Sequence, residues 1–193
     1  GSACGRNTGR EMAAACKEYG YTGIFVTDHN WGGNTAVDRK KTWEEWVGEF
    51  CTGYENAKAE GDRIGLDVFF GYEAGFCGTE FLIYGVDKEW MLENPAIWRA
   101  DVKEQYELVH AAGGMVIHAH PYREEDYIPE VRLFPEWVDG VEGINATHSS
   151  SRSLAHNDPN FDTKAIAYAA KHHLPMTAGS DIHRTTLLGG GVA

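Results

Sequence analysis

Along this chain, short runs of β-branched and aromatic residues alternate with longer stretches in which apolar positions recur every three or four residues. Gly23-Ile24-Phe25-Val26-Thr27, ending at Asp28-His29, reads as a buried strand. So do Leu66 to Gly71, Phe81 to Gly85, Met115 to His120, Val141 to Asn145 and Leu174 to Ala178. Helical patterns lie between them. Thr8 and Glu11 have capping-box spacing and open a helix to about Tyr19, which Gly20 stops. From Thr42 to about Glu60, the residues Trp43, Trp46, Val47, Phe50 and Tyr54 fall on one face, a core-facing stripe. Asn94-Pro95 opens a third helix to about Ala112, and Asp162 to His172 forms a last one. Strands alternating with helices read as βαβ units, hence a mostly parallel sheet or barrel in a single domain spanning residues 1–193.

Composition narrows the function classes. The chain is 42% apolar and 24% charged, ordinary globular values. Its net charge of −12 argues against an extended nucleic-acid groove or an anionic membrane surface, both of which need a basic stripe. The apolar runs are too short to span a bilayer. Cys4, Cys16, Cys51 and Cys77 form no Cys-x-x-Cys pair, which reads as a reducing, cytoplasmic setting. Oligomeric state leaves no mark in the pattern.

The ionisable residues collect just past the C-terminal ends of the strands: His29, Glu73, His120, Asp181 and His183, with Glu142 and Asn145 on the fifth strand. In parallel α/β architectures that edge is where active sites are built. Imidazole and carboxylate together, without cysteine, suit zinc, manganese or iron. Asp181 and His183 are two residues apart, so in extended chain both point to one side and can reach one ion or two adjacent ones. His118, one layer deeper than His120, reads as a buried hydrogen-bonding residue or a brace for a ligand. Arg123 and Arg184 are placed to meet a substrate phosphate, the alternative being a solvated arginine or an ion pair; Arg6 and Arg152 are weaker candidates.

Five segments then carry a resemblance: Gly23 to Asn30, Gly71-Tyr72-Glu73, Ile117-His118-Ala119-His120-Pro121, Val141 to Asn145, and Gly179-Ser180-Asp181-Ile182-His183. In these, and in their order, the chain resembles the polymerase-and-histidinol-phosphatase (PHP) family of metal-dependent phosphoesterases. Ser2-Ala3-Cys4-Gly5-Arg6 is similar to the segment that usually follows the family's first motif. The resemblance implies an α/β fold, a distorted (β/α)7 TIM-like barrel lacking its first strand and C-terminal portion in this chain. A His-x-His motif would precede Gly1, and more barrel would follow Ala193. Where the family often carries a histidine after the Gly-x-Glu motif, this chain has Glu80.

The resemblance further implies two or three divalent ions (zinc, manganese or iron) and a phosphate-ester substrate, a small phosphomonoester or a nucleotide or oligonucleotide. Glu73 would bridge two ions, Asp181 would join the first, His120 with Glu80 would hold the second, and His29 with His183 a third. The attacking water would be held at Glu73, His120 and Asp181. No serine or cysteine nucleophile is conspicuous: Ser149, Ser150 and Ser151 read as a polar loop. Two alternatives stay open. One is a degenerate PHP-like module with an incomplete metal site and a structural or regulatory role. The other is hydrolysis of carbon–nitrogen bonds, which normally needs a strand-end lysine.

Overall fold

The computed structural model describes residues 1–149 and 158–188. Arg152 and the segment after Leu188 lie outside the described residues. Six strands form one curled sheet, a half-barrel consistent with part of the PHP-type barrel, in the order β1 to β6 along the chain. They are β1 (Gly23–His29), β2 (Asp67–Phe76), β3 (Thr79–Tyr84), β4 (Met115–Ala119), β5 (Gly140–Asn145) and β6 (Met176–Gly179). The helices are α1 (Gly9–Tyr19), α2 (Trp43–Ile64), α3 (Lys88–Glu93), α4 (Val102–Ala111), α5 (Ala146–Ser149) and α6 (Asn160–His172), with 3-10 turns at Pro95–Arg99 and Thr185–Leu187. No helix among the described residues is long and apolar enough to cross a membrane.

The sheet is mixed rather than mostly parallel. Pairs β1–β2, β4–β5 and β5–β6 are parallel, but β2–β3 and β3–β4 are antiparallel. Only Cys77 and Gly78 separate β2 from β3, far too few residues for a crossover, and both have positive φ (48° and 86°) as a tight hairpin turn requires. The hairpin also lengthens β2 through Phe76, so Glu73 sits within a strand rather than past its end. The helix expected from Asn94 to Ala112 is broken. Asp87 caps a separate α3, and Asp101 with Glu104 forms a capping box that starts α4.

Alternation along the strands sorts residues onto two faces. One face is covered by helices. Trp43, Trp46, Val47 and Phe50 of α2 are buried there with Tyr72, Phe81 and Ile83, as the stripe predicts, and the Trp46 ring stacks on Phe50 at 4.7 Å. Helix α1 crosses α2 so closely that a Cβ on Gly9 would lie 2.0 Å from the Gly53 carbonyl oxygen. Helix α6 packs Ala165, Tyr168 and Ala169 against Val141 of β5. The other face carries Phe25, Phe69 and Tyr84 at one end. At the C-terminal end of β1 the same alternation places Thr27 and His29 on that face, with Gly71 and Glu73 beside them.

Candidate metal centre

Register explains how the first donors meet. Parallel pairing sets His29 directly across from Glu73. The hairpin sets Gly75 across from Glu80, so Glu80 lies on the face of Glu73, two positions along. Glu80 is opposite Ala119, and His120 follows at once. His120 has φ +26° and Asp181 has φ +49°, left-handed conformations that non-glycine residues adopt only where the surroundings enforce them. The Asn30 side chain locks the loop after β1, its Oδ1 accepting from Gly32 N (2.9 Å) and Gly75 N (3.1 Å).

The outcome is a buried square. His29 Nδ1 lies 2.9 Å from Glu73 Oε2 and 3.4 Å from Glu80 Oε1, while His120 Nε2 lies 3.1 Å from Glu73 Oε1 and 3.4 Å from Glu80 Oε2. Each carboxylate is flanked by both imidazoles, and all four residues are 9% exposed or less. A second group adjoins it. Asp181 Oδ2 accepts from Arg123 Nη2 (2.7 Å) and Asn145 Nδ2 (3.2 Å). Asn145 Nδ2 also donates to Glu142 Oε2, which accepts from the His120 backbone N–H at 2.9 Å. His183 Nδ1 lies 2.9 Å from the Asp181 carbonyl oxygen and 3.4 Å from its Oδ1.

The electrostatics follow from this crowding. Burial raises Glu73, but His120 and His29 on either side overcome it and hold its carboxyl below the usual range. Burial and then the Glu73 charge push Glu80 up. Asp181 is also raised by burial, yet Arg123, His120 and His183 drive it far down. Burial disfavours charge on His29, but Cys4, Glu73 and Glu80 more than offset this and lift it to about 11.

Arg123, expected to meet a phosphate, is turned into this cluster: it is 5% exposed, and its guanidinium also donates to Thr147 Oγ1 (3.1 Å) and His148 Nε2 (3.3 Å). Arg184 is exposed and makes no ion pair with a described residue. Arg6 is exposed as well. His118 is buried as expected, but neither ring nitrogen makes a hydrogen bond; the ring stacks on Phe81 at 4.9 Å. Ser149 ends the short helix α5, and Ser150 and Ser151 lie outside the described residues.

Sequence reasoning missed two participants. His148, next to the stretch that reads as a polar loop, is buried, with Nδ1 2.6 Å from Asp162 Oδ1, and so links Asp162 to Arg123. Cys4 was excluded with the other cysteines, yet its Sγ and one nitrogen from each of His29 and His183 lie within 4.8 Å of one another. Burial raises the Cys4 thiol, but His183 and His29 outweigh it and bring it down to about 6. Only the similarity of Ser2 to Arg6 to a family segment signalled this stretch.

The donor set fits divalent ions. His29, Glu73 and Glu80 also present donors within 4.8 Å of one another. His29 Nδ1 lies within reach of both carboxylates, 2.9 Å from Glu73 Oε2 and 3.4 Å from Glu80 Oε1. A buried imidazole nitrogen between two carboxylates is a nitrogen-and-oxygen donor set of the kind that suits a divalent ion.

Fold and site together define an α/β protein whose half-barrel sheet gathers imidazole, carboxylate and thiol side chains at one rim. Among known proteins, a family model described as PHP-associated matches residues 159–193. Three solved structures share the fold. A candidate metal-dependent phosphoesterase from Bifidobacterium adolescentis superposes with a TM-score of 0.60 at 17% identity, covering 96% of this chain and 86% of its own. A two-domain protein from Bacteroides vulgatus, containing a predicted PHP-like metal-dependent phosphoesterase, gives 0.61 at 16% identity, covering 94% and 49%. An amidohydrolase from Chromobacterium violaceum, with bound sulfate and no metal, gives 0.60 at 15% identity, covering 93% and 83%. No curated protein matches the chain by sequence. The PHP-associated match covers residues 159–193, and the likeness to the solved structures is one of fold.

Proposed function

We propose that the chain is a PHP-like metal-dependent hydrolase of phosphate esters that uses two or three divalent ions held by His29, Glu73, Glu80, His120, Asp181 and His183. The observation that carries this reading is the buried square of two carboxylates, each shared by the same two imidazoles. Divalent ions, when bound, supply positive charge to phosphoryl oxygens and lower the pKa of a water that attacks phosphorus. The chain's own residues do the positioning. Glu73 faces both imidazoles at once, and the backbone N–H of His120 is fixed by Glu142. Arg123 holds Asp181 in place through a bond at 2.7 Å. Arg184, exposed beside His183 and without an ion pair to a described residue, is the candidate to take a phosphate oxygen. Glu80 in place of an imidazole hardens the donor set and favours manganese or iron there.

The amidohydrolase neighbour raises a second reading, hydrolysis of a carbon–nitrogen bond. No lysine of the chain lies on a strand, so the usual carbamate bridge has no source, and phosphate esters are favoured. The test is hydrolysis of aryl phosphate monoesters and diesters, beside an aryl amide, by the 193-residue chain with Mn2+, Zn2+ or a chelator. Phosphate-ester turnover that needs the ion and disappears in Glu73→Gln supports the proposal. No stoichiometric metal together with no metal-stimulated turnover would leave a PHP-like module of structural or regulatory role.

A further inference from the structure

The sequence pattern leaves Cys4 out of the site, and the fold carries it in. Residues on both sides of it are tied to the two histidines it approaches. Ser2 donates through its N and Oγ to Asp28 Oδ1 (2.7 and 2.8 Å), and Ser2 Oγ accepts from the His29 backbone N–H at 2.9 Å. Two residues beyond Cys4, Arg6 N donates to the His183 carbonyl at 3.0 Å. Ala3 N adds a bond to Asn34 O at 2.8 Å. Cys4 is thus held between His29 and His183 by the bonds that its neighbours make, the Ser2 hydroxyl to the His29 backbone N–H and Arg6 N to the His183 carbonyl. His29 is buried, while Cys4 and His183 are half-buried, which gives the trio a closed floor and an open side.

One sulfur and two imidazole nitrogens with an open fourth position make a zinc-type set, whereas thiolate disfavours manganese and magnesium. The donors on the other side of His29 (Glu73, Glu80 and His120) contain no sulfur. We propose that Cys4, His29 and His183 form a sulfur-containing site selective for zinc, beside a harder site of Glu73, Glu80 and His120, so that the centre holds two unlike ions. Ligation releases to solvent the protons carried by the Cys4 thiol and by the ligating imidazole nitrogens, and no redox step is involved. The inference rests on the reading of this rim as a metal centre.

Cobalt(II) alone, titrated into the full chain, is the probe. A sulfur-to-cobalt charge-transfer absorption in the near ultraviolet is expected, lost in Cys4→Ser and kept in Cys77→Ser. Zinc retained after gel filtration should fall by one ion per chain in Cys4→Ser, with circular dichroism unchanged. Should Cys4→Ser fail to fold, the unaltered chain still decides: zinc must protect Cys4 from iodoacetamide, read by mass spectrometry. Cobalt bound without the absorption, an absorption that survives Cys4→Ser, or no protection by zinc overturns the sulfur site and leaves the proposed function standing. Absence of any bound ion overturns both.

Discussion

Replacing Arg123 by methionine removes a permanent charge from the middle of the centre while keeping most of the side chain's length. Arg123 is 5% exposed and its Nη2 sits 2.7 Å from Asp181 Oδ2, with Glu142 close behind at 4% exposure. Deleting one partner of a buried ion pair costs about 3–5 kcal/mol, because the other charge stays buried and uncompensated. The lost bonds to Thr147 and His148 add about 1 kcal/mol each at most. For a chain of this size each kcal/mol lowers Tm by about 2–4 °C, so a fall of roughly 10–20 °C is expected. Urea unfolding in the presence of a chelator measures the loss. Asp181→Asn should cost about 3 kcal/mol alone, and the double variant should fall short of the summed losses by about 2 kcal/mol or more, since the pair is then removed whole. Added Zn2+ should restore Arg123→Met more than the unaltered chain, because a cation then compensates Asp181. Additive losses, or an Arg123→Met within about 1 kcal/mol of the unaltered chain, would refute the argument.

Glu73→Gln should lower metal-stimulated turnover by more than the roughly 10–100-fold typical of changing a residue that only braces a ligand, while thermal unfolding stays cooperative; unchanged turnover counts against the site. Gly9→Ala should destabilise by about 1–3 kcal/mol despite alanine's better helix propensity, because its Cβ meets the Gly53 carbonyl; a rise in Tm would show that α1 moves freely on α2. Burial, then the His120 charge, lowers His118 to about 3. A histidine depressed in the folded state contributes stability above its unfolded pKa of about 6.5 that is lost as pH falls toward the folded value. The unaltered chain should therefore lose about 2 kcal/mol more than His118→Leu between pH 8 and pH 5; parallel pH curves would show that His118 does not titrate on unfolding.

How far the sequence led differs by scale. Local signals were readable: the Thr8 capping box and the α2 stripe come from contacts three or four residues apart. The Asp101–Glu104 box has the same spacing and was hidden behind Asn94-Pro95, a second helix start just upstream. The hairpin was harder. Cys77-Gly78 lacks the asparagine or aspartate that marks such turns, so the pattern shows two strand runs close enough to be neighbours without showing that they pair antiparallel. The rim residues could be picked out because imidazoles and carboxylates at strand ends are rare in a core. Their mutual geometry could not, since Glu73 and Glu80 meet only through the hairpin register. Cys4 was out of reach, because nothing local marks a cysteine that contacts residues 29 and 183.

Elsewhere, positive φ has local remedies. Positive φ falls on glycine at Gly20 and Gly65, which end α1 and α2, and the positive φ values of Cys77 and His173 belong to a two-residue turn and a helix end. At the rim the features are of another kind. Asp181 holds positive φ outside any turn or helix cap, His120 does so as the first residue of a turn closed by Arg123 N, and Glu73 and Glu80 are buried side by side with His29 and His120 against both. Each costs free energy, through backbone strain, charge repulsion or lost solvation. A folding-only account has to treat these as independent defects that coincide at one sheet edge. One requirement would account for the side-chain part, since a divalent cation at the proposed centre would neutralise both carboxylates and be ligated by the imidazoles. Backbone strain and buried charge gathered at one place are what a binding site adds to a fold.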